Sequence, residues 1–306
     1  MSATITENVL EGLLAIHRYR FLSVDQFARA SCLKASHVRD VLRTFERKSL
    51  LGSIGNVGLR GGAKAPKLYH LTRSGYAAML EAGGLLEDEI GAYRKAHTAN
   101  RWTPVMAHRL ATIDLLLAAE EGLHAHARYR LVATFHEYRR EKKGRHGDQP
   151  ETSDFVAEEE VSENRIVPDA AFILENLETG TRGLFFIETD RGTERLSRGS
   201  PGGYSISDKF RLYERYLKGG RFAGTYSAYG SFRFFTVLFV TTTADRIANT
   251  RRVSAALDPE LHAYFKLAPF EEAKDNFFHP IWWNRDARDT ARAGLVKDYA
   301  PDPEGG

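Results

Sequence analysis

Residues 35–48 carry apolar side chains at helical spacing and basic side chains on the opposite face. This pattern constrains the N-terminal fold more than any other feature of the sequence. Apolar side chains recur there at the i, i+3, i+4 and i+7 spacing: Val38, Val41, Leu42 and Phe45. The positions that point away from this stripe are polar or charged: Ser36, His37, Arg39, Asp40, Arg43, Thr44 and Arg47. The pattern predicts an amphipathic helix whose exposed face carries positive charge.

Two helices are predicted before this one and a hairpin after it. An apolar stripe predicts the first helix between residues 6 and 17, and Ser23 followed by Gln26 is typical of the capping box that begins a second helix ending near Ala30. The glycine-rich, basic stretch 52–67 is closed by apolar residues, which predicts two short strands around a loop. Three helices followed by a β-hairpin are the plan of a winged helix-turn-helix domain, whose third helix enters the DNA major groove.

This plan assigns DNA contacts to eight residues. Base edges are the expected partners of Ser36, His37, Arg39 and Arg43, and phosphates those of Arg47, Arg60, Lys64 and Lys67. Charge supports the assignment, because residues 1–84 hold 12 Lys and Arg against 6 Asp and Glu, whereas the remainder holds 31 against 34. Clustered cations bind phosphates and release counterions. The alternative is that the basic residues only form a solvated helix face.

Length and composition predict a two-domain protein. With 306 residues and 42% hydrophobic side chains, the chain can bury two cores. No uninterrupted apolar run reaches the about 18 residues of a membrane span, no export signal is evident, and the single cysteine fits a reducing compartment. We therefore expect a cytoplasmic protein with a winged helix-turn-helix domain at 1–84, a connector at 85–103, and a larger domain at 104–306 that contains a long loop at 139–165 and a C-terminal extension.

The larger domain is expected to be an α/β layered structure. Its helix and strand patterns follow the order α, β, β, β, α, β, α. Asp169 begins one of these strands, and Glu188 and Asp190 are two residues apart on the next, so both project from the same face. Three carboxylates brought together in this way suit one hard divalent cation such as Mg²⁺, which assists phosphodiester hydrolysis.

These residues resemble the motif of a nuclease superfamily. Pro168-Asp169 followed by Glu188-Thr189-Asp190, within an αβββαβ order, is similar to the Pro-Asp…(Asp/Glu)-x-Lys motif of restriction-endonuclease-like proteins. The resemblance implies Asp169, Glu188 and Asp190 as metal ligands and catalytic residues. Asp190 stands where that superfamily carries lysine, and Lys209 on the following helix is the candidate replacement. The departure favours a nuclease-like domain that is inactive. The alternative is a Mg²⁺-dependent DNA endonuclease or nickase.

Five parts of the chain resemble the replication-relaxation family of plasmids and integrative elements. They are Tyr19 to Gln26, Tyr69 to Thr72 with Gly75, His108, Val167 to Ala170, and Phe186 to Glu194. The stretch from Glu188 to Glu194 is the most specific of these. The resemblance covers about residues 8–255 and implies a protein that binds double-stranded DNA in replication, mobilisation or their transcriptional control. The remaining alternatives are a homodimer that reads two half-sites and a second domain that recruits replication or transfer proteins.

Overall fold

The fold is described from a computed structural model of the chain, for residues 4–54, 65–96, 104–124, 126–192, 195–196, 205–255, 257–297 and 299. These residues form a mixed α+β protein with helices and a mixed multi-stranded sheet. The chain divides into two compact units, Met1–Ile113 and Asp114–Gly306, here called unit 1 and unit 2.

Unit 1 contains helices and one small antiparallel sheet. Its elements are α1 Glu7–Tyr19, β1 Leu22–Ser23, α2 Val24–Ser31, α3 Ala35–Arg47, β2 Leu51–Ile54, β3 Leu68–Leu71, α4 Arg73–Gly83, α5 Glu87–Ile90 and the first turns of α6 Pro104–Gly122. The central strand of the sheet is β3, which pairs with both β1 and β2. The three predicted helices and the two strands of the predicted hairpin are therefore confirmed.

The start of α2 and the turn before α3 follow directly from local chemistry. The Ser23 hydroxyl accepts a hydrogen bond from the Gln26 backbone N–H at 3.2 Å, and the Gln26 side-chain oxygen accepts one from the Ser23 N–H at 3.1 Å. This is the predicted capping box. Cys32 ends α2 in the left-handed conformation, with φ 52°, and α3 begins three residues later. Val38 and Leu42 of α3 are fully buried, as their spacing predicts.

A glycine allows α4 to approach the turn that follows α3. The Thr72 hydroxyl caps α4 by accepting a hydrogen bond from the Gly75 N–H at 3.0 Å. A Cβ atom at Gly75 would lie 1.8 Å from the Leu50 carbonyl oxygen. Because backbone cannot move aside as a flexible side chain can, any larger residue at position 75 would displace α4 or the turn.

Unit 2 is built on a seven-stranded sheet. Its elements after α6 are β4 Tyr129–His136, β5 Arg140–Lys142, β6 Asp148–Pro150, β7 Asp154–Phe155, β8 Arg165–Ile166, β9 Ala170–Asn176, β10 Arg182–Asp190, α7 Ile206–Gly219, α8 Phe222–Thr225, β11 Phe235–Thr241, α9 Ala244–Val253, β12 Phe265–Pro269, α10 Phe270–Asp275, β13 Trp282–Asn284 and β14 Arg292–Ala293. The strand order is β14-β13-β12-β11-β10-β9-β4, in which β10, β11 and β12 run parallel and the other neighbours antiparallel.

The main elements of unit 2 occur in the predicted order, as α6, β4, β9, β10, α7, β11 and α9. An aromatic core joins one face of the sheet to α7, where the Phe210 ring packs edge-on against Phe239 and Phe265, each with centroids 5.3 Å apart. Phe186 of β10 faces the same core. Because side chains alternate along a strand, Glu188 and Asp190 lie on this face too.

The stretch 139–165 corrects a prediction. Instead of one long loop, it forms two small antiparallel sheets, β5 with β6 and β7 with β8, and Val156 and Ile166 belong to the buried core. Strands of two or three residues are too short to show an alternating pattern, so the sequence contains no periodic signal for them. The C-terminal extension likewise supplies β12, β13 and β14 to the main sheet.

Candidate functional site

The exposed face of α3 carries the four residues that were assigned to DNA bases and Arg47, which was assigned to a phosphate. Ser36, His37, Arg39, Arg43 and Arg47 are all exposed. The Arg43 guanidinium lies 3.7 Å from the Asp40 carboxylate, and both side chains are more than two-thirds exposed. Such a pair contributes little to stability, and another anion can easily replace Asp40 as the partner of Arg43. The structure therefore brings these five side chains to one accessible helix surface.

Lys67, assigned to phosphate, has an internal partner. Its ammonium lies 2.7 Å from a Glu46 carboxylate oxygen and 5.0 Å from the centre of the Tyr69 ring. Hydrogen bonds from Lys67 and then Ser53 hold the pKa of Glu46 below its usual value. This ion pair joins the start of β3 to α3. Arg60 and Lys64, also assigned to phosphate, lie outside the described residues.

In unit 2 the strand register brings Asp169 beside Glu188. Ala170 of β9 pairs with Ile187 of β10, so the two acidic residues occupy the adjacent positions. One Asp169 oxygen accepts a hydrogen bond from the Thr189 backbone N–H at 2.7 Å. Both residues are buried, Glu188 almost completely. Two of the three predicted metal-binding carboxylates are therefore neighbours.

Glu188 is held by two side chains of α7. Its oxygens accept hydrogen bonds from the Lys209 ammonium at 2.8 Å and from the Tyr213 hydroxyl at 2.5 Å. Burial raises the pKa of Glu188 to about 7, an effect that the Lys209 charge opposes and the Asp169 charge reinforces. The sequence hypothesis that Lys209 reaches this carboxylate agrees with the geometry, while the catalytic role of Lys209 stays a prediction.

Asp190 has a different environment from Glu188. Its carboxylate forms a two-pronged ion pair with the Arg246 guanidinium of α9, and it also accepts hydrogen bonds from the Thr241 hydroxyl at 2.7 Å and the Gly192 N–H at 2.9 Å. Both oxygens are thus occupied by internal donors. In this structure Asp190 joins β10 to β11 and α9, and its carboxylate is not available to a cation shared with Asp169.

Glu137 is an acidic neighbour of Asp169 that the sequence reasoning missed. A carboxylate oxygen of Glu137 lies within 4.8 Å of one of Asp169, and the Glu137 backbone N–H donates to the Asp169 carbonyl at 3.1 Å. β4 ends at His136, so Glu137 follows that strand directly. Antiparallel pairing places the end of β4 opposite the start of β9, and this geometry was the signal that could have found it.

The carboxylates of Glu137 and Asp169 suit a hard divalent cation by charge, oxygen chemistry and spacing. Glu188, whose two oxygens already accept hydrogen bonds, lies beside them as a buried partner of Lys209. Carboxylates that could bind a cation and an ammonium group are components that metal-assisted chemistry at a phosphate uses.

The fold and these sites define a mixed α+β protein with an exposed basic helix, α3, and a pair of buried acidic residues, Asp169 and Glu188. The chain belongs to the replication-relaxation family, whose model matches residues 13–230. This membership suggests a role in the replication or mobilisation of plasmids or other mobile elements. No curated protein matches the chain. Among the described residues, no helix combines the length and apolar character needed to cross a membrane.

Proposed function

We propose that the chain is a sequence-specific double-stranded DNA-binding protein that acts through a winged helix-turn-helix in unit 1. The order α1, α2, α3 and then the antiparallel strands β2 and β3 supports this proposal. The observation that carries it is the exposed face of α3. Ser36, His37, Arg39 and Arg43 lie in the first turns of a helix whose opposite face is buried in the unit.

The proposed contacts differ along α3. Arginine can donate two hydrogen bonds to a guanine edge, so Arg39 and Arg43, with Ser36 and His37, are assigned to bases. Arg47, at the end of the helix, is assigned to a phosphate. Phosphates are also assigned to Arg60 and Lys64, which fall between β2 and β3 in the sequence, and to Lys67, which directly precedes β3. Contact of Lys67 with phosphate would require it to exchange its Glu46 partner.

The biological step that we propose is control of replication, mobilisation or transcription on a mobile element, which agrees with the family. Two copies of the chain bound to neighbouring half-sites would increase specificity through symmetry. In this proposal unit 2 is a restriction-endonuclease-like scaffold without cleavage activity. The ion pair between Asp190 and Arg246 at the position of the motif lysine supports it.

The DNA-binding proposal is tested by selecting a target from random duplexes and measuring the affinity of full-length variants for it. Arg39→Ala and Arg43→Ala should each weaken specific binding by about 1–3 kcal/mol, because each removes a base contact. Arg18→Ala, an exposed cation on α1, is the matched control and should bind as the wild type does. Equal affinities for all four proteins would contradict the proposal.

A second candidate function is metal-dependent DNA cleavage, which the proximity of Glu137 to Asp169 favours. Full-length protein incubated with supercoiled plasmid and Mg²⁺ or Mn²⁺ would then produce nicked or linear DNA. Asp169→Asn should abolish the products, whereas Glu178→Gln, an exposed carboxylate in the β9–β10 turn, should preserve them. Intact plasmid with the wild type, or cleavage that survives Asp169→Asn, would reject this candidate and leave unit 2 as a scaffold.

A further inference from the structure

A short basic hairpin follows Glu137 and precedes Asp169 in the chain of unit 2. Its strands β5 and β6 pair antiparallel, and the run 139–146 contains five Lys and Arg residues and His146. The tip turns through Gly144 and Gly147, which have φ 49° and 65°. A Cβ atom added at either glycine would have no neighbour within 4 Å, so the tip projects into open space.

The base of this hairpin is fixed to the unit. The Lys143 ammonium donates to the carbonyls of Glu151 and Ser153 at 2.7 and 2.6 Å. The buried Thr152 hydroxyl donates to the Pro168 carbonyl at 2.7 Å, directly before Asp169. Lys143 therefore joins the hairpin to the segment after β6, and Thr152 joins that segment to the residue before Asp169.

Three donors at the hairpin tip and the start of α8 converge on one carboxylate. Glu160 lies 2.9 Å from the Arg145 guanidinium, 2.6 Å from His146 Nε2 and 3.1 Å from the Arg221 guanidinium. These hydrogen bonds lower the pKa of Glu160 to about 2, and the one from His146 has the largest effect, followed by the one from Arg145. One negative charge thus faces two guanidinium groups and an imidazole. Guanidinium groups bind a phosphate with the same fork geometry as a carboxylate.

We propose that Arg145, His146 and Arg221 form a second DNA-phosphate site, and that Glu160 occupies this site in the free protein. The site is separate from α3 and contacts the backbone of DNA irrespective of its sequence. Arg145 is three-quarters exposed, and about a quarter of the Glu160 side chain remains accessible. A phosphate can displace Glu160 because accessible ion pairs are weak, while phosphate binding also releases counterions. The inference rests on the proposal that DNA is the partner, but not on recognition by α3.

The experiment measures binding of the full chain to a duplex of arbitrary sequence by fluorescence anisotropy across a salt series. Glu160→Gln should bind about two- to fivefold more tightly than the wild type at low salt, because the competing carboxylate charge is removed. Glu272→Gln is the matched control: it also removes one negative charge from an exposed ion pair, near the opposite edge of the sheet. This control should bind as the wild type does.

The converse variant removes the cations. Arg145→Ala combined with Arg221→Ala should bind more weakly and reduce the slope of log affinity against log salt by about 1.8, since each lost phosphate contact removes about 0.9. Arg288 is an exposed arginine paired with Asp286, and Arg288→Ala is the single-residue control. Its slope should differ from the wild-type slope by less than the about 0.9 expected for one lost phosphate contact. Thermal melting of each variant identifies any loss caused by unfolding.

The outcomes separate this inference from the proposed function. If Glu160→Gln binds like Glu272→Gln and the arginine double variant keeps the wild-type slope, the second site is rejected even when Arg39→Ala still weakens specific binding. If the α3 variants have no effect while the Glu160 and arginine variants behave as expected, the second site stands and recognition by α3 is rejected. A failure of both the wild type and Glu160→Gln to bind duplex DNA contradicts both proposals.

Discussion

The charged residues of α3 and those around Asp190 differ in what surrounds them. On α3, Arg43 and Asp40 form a long contact of 3.7 Å between two exposed side chains. In unit 2, Asp190 and Arg246 form a two-pronged pair in which the carboxylate is almost fully buried. Breaking the first pair costs little, whereas breaking the second leaves a buried carboxylate without its counter-charge. The exposed pair on α3 is accessible to exchange, as the proposed DNA binding requires, whereas the buried pair joins Asp190 of β10 to Arg246 of α9.

The largest expected effect tests the scaffold side of this comparison. Arg246→Ala should lower the free energy of unfolding by about 3–5 kcal/mol, because the buried Asp190 carboxylate loses its counter-charge. Denaturant unfolding followed by circular dichroism measures the change. Combining Arg246→Leu with Asp190→Asn should recover part of the loss, since both charges are then removed. A loss below about 0.5 kcal/mol for Arg246→Ala would place this pair in the same class as the exposed pair on α3.

A second prediction concerns Glu151, a buried carboxylate at the base of the basic hairpin. Burial raises the pKa of Glu151 to about 7 from 4.5, against the opposing hydrogen bond from the His136 N–H. The folded protein therefore binds this proton more tightly than the unfolded chain, and the associated stability is present below pH 4.5 and lost as the pH rises through about 7. Relative to Glu151→Gln, the wild type should lose at most about 1.4 kcal/mol per pH unit in this window. Parallel pH dependences of the two proteins would contradict the prediction.

A third and smaller effect is expected at the start of α2. Ser23→Ala removes the side-chain acceptor for the Gln26 N–H and should lower the free energy of unfolding of unit 1 by about 1 kcal/mol. Ser23→Asp, which retains a capping oxygen, should restore most of this loss. If both substitutions behave alike in denaturant unfolding, the capping hydrogen bond does not determine the stability of α2.

The smallest effect on stability is expected at α3 itself. Arg43→Ala should change the free energy of unfolding by less than about 0.5 kcal/mol, because its partner Asp40 is exposed. The same substitution should weaken specific DNA binding. A large loss of stability in thermal or denaturant unfolding would mean that Arg43 maintains the fold, and the contrast with Arg246 would disappear.

Periodic and local patterns made much of unit 1 predictable from its sequence. The stripe that includes Val38 and Leu42 identified the buried face of α3, and the pair Ser23 and Gln26 identified the start of α2. Both depend on interactions within a few residues of chain. The order of the main strands and helices in unit 2 was predictable for the same reason, since each strand carries its own apolar run.

The candidate carboxylate site was only partly predictable, because its partners come from distant parts of the chain. The i, i+2 spacing correctly placed Glu188 and Asp190 on one face, but it contains no information about Arg246, which lies 56 residues after Asp190. Glu137 was missed because its proximity to Asp169 depends on the pairing of β4 with β9, which no local pattern indicates. Strands as short as β5 to β8 show no hydrophobic period, so the basic hairpin could be recognised only from the structure.

We propose that α3 reads DNA with its exposed basic face, and a comparison of two duplexes tests this proposal. Full-length wild type and the double variant Arg39→Ala, Arg43→Ala are compared for binding to a selected duplex and to a scrambled duplex of equal length. The wild type should prefer the selected duplex, and the double variant should lose this preference while it remains folded. A folded double variant that retains the wild-type preference would show that α3 does not read the sequence.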